Sequence, residues 1–308
     1  MKPSQTFATE AGSQTRRAFL QTALAAAPAA AASAAALAVP GSKPLRTEER
    51  LIDVNVSLGQ WPTRRARLDD SRELVTRLRQ RGVSQAWAGT LEGLLHKDLA
   101  AANTRLAKTC RQDGKGLLIP FGSVNPRLPD WEEELRRCAD LHRMPGIRLH
   151  PNYHGYRLED PAFLRLLELS AQRRLIVQLA LIMEDERMMH PLLRVDPVDT
   201  TPLRDLVGRV PGLRLVLLNA FRTLRAKPLL DLIAAGKVSV EIAMLEGVGG
   251  VGTLIGQVPV DRVLFGSHAP MFYFESALLK LKESALTPEQ SEAISHGNAR
   301  HLLKSHAT

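Results

Sequence analysis

Imidazoles set beside an arginine and carboxylates are the raw material of acid–base and acyl-transfer chemistry, and this chain gathers them at a few places. The stretch IRLHPNYHGY supplies Arg148, His150, Tyr153 and His154, and IMEDERMMHP supplies Glu184, Asp185 and Arg187. Glu241 lies within VSVEIAML, and His268 stands near the end of RVLFGSHAP. Histidine titrates at about 6.5 when unperturbed, so it exchanges protons at neutral pH without heavy tuning. His268 is therefore read as a general base, with His150 or His154 as the acid toward a leaving group. Arg148 suits a bidentate grip on a substrate carboxylate, and Asn55 and Asn219 suit donation to a developing oxyanion. Ser57, Gln178, Tyr153, Glu184, Arg187 and Glu241 complete the expected substrate-binding set. Plainer readings stand beside these: Arg148 with Glu241 as a buried ion pair, with Asp53 as second acceptor, and residues 184–187 as a solvated loop with local salt bridges.

Such groups need a frame that brings distant segments together. Eight short apolar runs, LIDVNVSLG, VSQAWAGT, LLIPFGSVNP, GIRLHPN, LIVQLAL, LRLVLLNA, VSVEIAML and RVLFGSHAP, alternate with segments of helical period such as SRELVTRLRQRG and PAFLRLLELSAQRR. A run of βα units of this length closes best as a (β/α)8 TIM barrel, an α/β fold in a single domain over residues 51–308. An open doubly wound sheet is the weaker reading, because no GxGxxG follows the first run. In a barrel the chemistry lies at the carboxyl ends of the strands, and alternation predicts that Asp53, Asn55 and Ser57 all face inward with Arg148, His150, Gln178, Asn219, Glu241 and His268. The tail TPEQSEAISHGNARHLL predicts a helix begun by Thr287 and Pro288.

These strand ends resemble those of the amidohydrolase-related TIM-barrel family, which includes aminocarboxymuconate-semialdehyde decarboxylase and the pyrone-dicarboxylate lactonases. The resemblance runs from residue 51 to about 303. It sets IDVNVSLG against D-x-H-x-H-x-G, RVLFGSHAP against a G-[ST]-D-x-P ending and HGNARHLL against a GNARRLL-like close. It implies hydrolysis of a small carboxylated lactone, ester or amide, with a non-catalytic ligand-binding barrel as the alternative. The family's metal-ligand positions map in turn onto Asn55, Ser57, Ala180 or Gln178, Asn219 and His268, of which the amides and the hydroxyl are poor ligands. The expectation is therefore a divergent member that works with no metal and no cofactor. One divalent, zinc-like metal at a site rebuilt from His150, His154, Glu184, Asp185 and His268 is the alternative. His150 and His154 share a helical face only if their loop is helical, and Pro151 and Gly155 argue against that.

Composition fits an ordinary globular chain, with 308 residues, 44% hydrophobic and 24% charged. Residues 1–38 read as a cleavable export signal of the twin-arginine type, with Arg16 and Arg17 ahead of an alanine-rich run, and residues 39–50 read as a linker. This predicts a periplasmic or otherwise exported protein, with no stable membrane insertion after cleavage. The formal charge of +9 falls to +7 without that segment. Its arginines are spread over helices without interleaved aromatics, so the expected partner is a small-molecule substrate and no nucleic acid, and the basic helices leave room for a homodimer. Cys110 and Cys138 read as packing residues, with a disulfide between neighbouring helices left open.

Overall fold

The computed structural model describes residues 51–307, so the leader and the linker lie outside the described residues. The chain alternates strand and helix: β1 (Leu51–Leu58), α1 (Ser71–Gln80), β2 (Val83–Thr90), α2 (Leu99–Gln112), β3 (Leu118–Ser123), α3 (Trp131–Arg136), β4 (Gly146–Leu149), the one-turn α4 (Pro151–His154), α5 (Pro161–Gln172) and β5 (Ile176–Ala180). It continues through α6 (Leu203–Arg209), β6 (Arg214–Leu218), α7 (Ala226–Ala235), β7 (Val238–Glu241), α8 (Gly250–Ile255), β8 (Val263–Leu264), α9 (Phe274–Lys282), α10 (Pro288–Glu292) and α11 (Asn298–Ala307). The eight strands form one parallel sheet in sequential order. The last run returns to the first, where Val54 N donates to Phe265 O and Ser57 N to Ala269 O. That closure makes a (β/α)8 barrel.

Local sequence explains the elements. In α1, Asp70 accepts from the backbone N–H of Arg72 and Glu73 at 2.9 and 3.0 Å, which starts the helix. Leu74, Val75 and Leu78 then share its buried face against the sheet. At the far end a helix starts at Thr287 with Pro288 in its first turn, as the sequence predicts, and Thr287 and Gln290 add a capping box. A second apolar cluster fills the barrel itself, with Trp87 stacked on Phe121 at 4.9 Å between ring centroids, beside Ile176, Val216 and Leu264. None of the helices among the described residues is long and apolar enough to cross a membrane.

Two expectations change, and the disulfide left open for the cysteines is settled in favour of packing residues. Strand β1 shifts register between Asp53 and Val56, so alternation fails across it: Ile52 and Val54 join the interior apolar cluster, while Asp53 turns to Ser267 beside β8. The segment after β4 is helical despite Pro151 and Gly155. Proline occupies the first turn, where its missing N–H is harmless, and Gly155 ends the turn at φ 67°. The two cysteines are buried free thiols, and burial pushes Cys110 up to about 12.

Candidate active site

Arg148 rises from β4 into the barrel and is buried. Its Nε donates to Gln178 Oε1 at 2.8 Å on β5. One terminal nitrogen donates to Val56 O and Ser57 Oγ, and the other to Trp87 O and Val54 O. All five N–H donors are thus taken by β1, β2 and β5, and Gly89 leaves the space, since a Cβ there would lie 2.8 Å from Arg148 Cδ. The carboxylate grip expected of Arg148 is therefore not available, and Gln178, whose amide also donates to Val54 O at 2.7 Å, is tied into the same strut. Nor do Arg148 and Glu241 form an ion pair. Burial holds Arg148 down to about 10, which still leaves it charged at neutral pH.

Glu241 instead organises the opposite wall. Its carboxylate accepts from Asn219 N at 2.6 Å, from Asn55 Nδ2 at 3.2 Å and from Ala243 N. Asn55 Nδ2 also donates to Asn219 Oδ1 at 2.9 Å, and Asn219 Nδ2 donates to Ile182 O at 2.7 Å. Both amide protons of Asn55 are spent, which removes it as an oxyanion donor. Asp53 accepts from Asn55 N, Ser267 N and Ser267 Oγ, although burial still pushes its carboxyl up to about 7.

Above this floor sit three imidazoles. His268 follows β8 at φ 57° and is fully buried, its ring edge against Phe272 at 5.2 Å. His268 Nε2 meets Met183 O at 2.9 Å. A carbonyl only accepts, so Nε2 carries the proton and Nδ1 holds a lone pair with no partner among the described residues. Burial pushes His268 down to about 4, so the ring is neutral near pH 7. His154 is arranged in the same way, with Nε2 on Gly93 O at 2.7 Å and Nδ1 unpartnered. His150 is buried beside it with 6.1 Å between ring centroids, and burial, with the charges of His154, Arg148 and His268, holds it well below its ordinary value. The acid expected of His150 or His154 is thus corrected: both are depressed by burial and carry no imidazolium proton at neutral pH.

The connection after β5 divides. Arg187 lies on the exposed surface, paired with Asp185, which Arg222 also holds. Arg187 is therefore not part of this centre. Glu184 is 2% exposed and its carboxylate forms an ion pair with Arg64, a residue of the WPTRRARLDD segment after β1 that the sequence reading passed over. Three arginines in four residues directly after a barrel strand were the available signal. Tyr153 is half-buried, its ring edge-on to Trp61 at 6.1 Å, and burial and the charge of Glu184 raise its phenol. Ile182, Met189 and Met244, with Phe272 packed on them, form an apolar cluster of their own, which Phe272 links to the His268 ring.

A metal ion needs convergent anionic or imidazole donors. The described residues contain no group of three or more His, Cys, Asp or Glu that could hold one. The rebuilt site does not form either: His154 and His268 spend Nε2 on carbonyls, Glu184 faces Arg64, and Asp185 faces Arg187 and Arg222.

Comparison with known proteins places this geometry in context. None of the curated proteins searched matches the chain. Among solved structures, 2,6-dihydroxybenzoate decarboxylase from Rhizobium is 14% identical with a TM-score of 0.64, over 83% of this chain and 99% of that one. A dihydroxybenzoic acid decarboxylase from Polaromonas, with bound manganese and the inhibitor 2-nitroresorcinol, is 15% identical with a TM-score of 0.64, over 83% and 97%. The 5-carboxyvanillate decarboxylase of Novosphingobium aromaticivorans, complexed with manganese and 4-hydroxy-3-methoxy-5-nitrobenzoic acid, is 13% identical with a TM-score of 0.67, over 84% and 97%. At these identities the likeness is one of fold. The bound manganese nevertheless overturns the expectation that no cofactor takes part, since these neighbours point to a divalent metal rather than to none. The donors of this chain, as arranged, do not fit such an ion. The amidohydrolase family profile matches residues 52–304, nearly the whole barrel together with the strand ends that carry Asn55, Asn219, Glu241 and His268, and the chain belongs to that family of TIM-barrel enzymes.

Proposed function

We propose that this enzyme hydrolyses a small carboxylated lactone, ester or amide at the carboxyl end of the barrel, with His268 as general base. The observation that carries the reading is the fixed tautomer of His268. With Nε2–H on Met183 O, the Nδ1 lone pair is the one free to accept a proton, and the ring is neutral at working pH. In the proposed step Nδ1 takes a proton from water, the water oxygen bonds to the acyl carbon, and the alcohol or amine leaves with that proton. The twin-arginine leader sets the reaction outside the cytoplasm.

Decarboxylation of a phenolic acid is the second reading, favoured by the decarboxylase activities of the structural neighbours. The two separate in one assay. Protein lacking residues 1–38 is offered carboxylated aryl esters, lactones, amides and hydroxybenzoates, with and without added Mn2+, while acid release and CO2 release are followed in parallel. Acid release without CO2 supports hydrolysis, CO2 release replaces it with decarboxylation, and turnover of neither class overturns both.

A further inference from the structure

Next to His268 in sequence, a cavity of about 470 Å³ opens between the β1–α1 and β8–α9 connections. Four arginines, Arg64, Arg65, Arg67 and Arg77, line it against a single acid, Glu275. Apart from Tyr273 its other lining is apolar, and includes Leu74 and Leu78 from α1 together with Phe272 and Phe274. The acids account for three of the four arginines: Arg65 pairs with Asp69, Arg77 with Glu275, and Arg64 reaches out of the cavity to Glu184. Arg67 has no acidic partner among the described residues. An uncovered guanidinium over an apolar floor is a site for an anion that brings its own apolar surface, and the planar fork favours a carboxylate.

We infer that this cavity binds a small carboxylate with an apolar body, whose carboxylate engages Arg67 and draws Arg64 away from Glu184. The contacts are continuous. Arg64 is 36% exposed on its side chain and lines the cavity, whereas the Glu184 side chain it holds is 1% exposed. Phe272 lines the same cavity and lies edge-on to His268. Ligand binding therefore loosens the Arg64–Glu184 tie and presses on the aromatic ring that covers the candidate base. The inference goes beyond hydrolysis, because it does not depend on which bond the site breaks.

Calorimetric titration of the chain lacking residues 1–38 with benzoate, benzamide and inorganic phosphate tests it. Benzoate is expected to bind roughly tenfold or more tightly than benzamide, as one charge-assisted contact allows, and phosphate is expected to bind weakly for want of an apolar body. Arg67→Gln weakens benzoate about fivefold or more, whereas Glu184→Gln tightens it by about threefold or more, because the competitor for Arg64 has lost its charge. Methyl signals of Leu74 and Leu78 shift on titration. Equal binding of benzoate and benzamide, tighter binding of phosphate than of benzoate, no effect of Arg67→Gln, or weaker or unchanged binding in Glu184→Gln overturns the inference. Benzoate has no bond for a hydrolase to break, so its binding is read apart from turnover: failure of the ester, lactone and amide screen with benzoate still bound would fell the hydrolytic reading and leave this one standing.

Discussion

His268 lends itself to a quantitative test, because its environment fixes both the sign and the size of a pH effect. Folded, the ring is buried and held down to about 4, whereas in the unfolded chain it titrates at about 6.5. As pH falls below about 6.5 the unfolded chain takes up a proton that the folded one refuses, so stability is lost between about 6.5 and 4. The gap of roughly 2.5 units is worth about 3 kcal/mol in full, and about 2 kcal/mol of it is lost by pH 5. Asp53, which burial pushes up to about 7, acts in the opposite sense, losing stability as pH rises from about 4 toward 7. A comparison of native protein with His268→Gln cancels that contribution, since both share it, and the Gln amide N–H can replace the donor to Met183 O. Urea unfolding at pH 7 and pH 5 should show the native protein losing about 2 kcal/mol more than the variant. An equal loss in the two proteins would refute the buried, neutral imidazole.

Other outcomes follow from the buried strut and its neighbours. Arg148→Lys offers one nitrogen where five N–H donors bridge β1, β2 and β5, and should lower stability by about 2–4 kcal/mol in urea unfolding. Gly89→Ala sets a Cβ 2.8 Å from Arg148 Cδ, and a loss of about 1–3 kcal/mol is expected in thermal unfolding. Ser267→Ala removes the side-chain donor to buried Asp53, and should lower stability by about 1–3 kcal/mol on the same assay.

Much of the barrel was legible because strand and helix differ in period, and eight apolar runs separated by helical segments leave few other closures. The helix start at Thr287 and Pro288 was legible for a local reason, a cap residue followed by proline in the first turn. What the sequence concealed depends on single backbone departures. The register shift in β1 moves Asp53 off the wall shared by Asn55 and Ser57, and β8 shrinks to Val263 and Leu264 as the chain turns at His268 with φ 57°. Of the candidate groups, Arg148, His150, Gln178, Asn219, Glu241 and His268 are buried while Arg187 lies on the surface, and their roles turn on partners that lie far off in sequence. Arg148 could not be seen to spend its donors on carbonyls of β1 and β2, nor Glu184 to face Arg64 across 120 positions. His268 is different, because its position at the last strand end already nominated it, and the structure adds the tautomer.

The most direct test is a pH–rate profile of hydrolysis for the best carboxylated ester or lactone, measured on the native enzyme and on His268→Gln. The expected result is a fall in kcat/KM of about 10²- to 10⁴-fold in the variant, with native activity rising through about pH 4 and level from about pH 5 to 8. A variant that stays within about tenfold of native, or a native profile that bends near 6.5, would contradict His268 as the base.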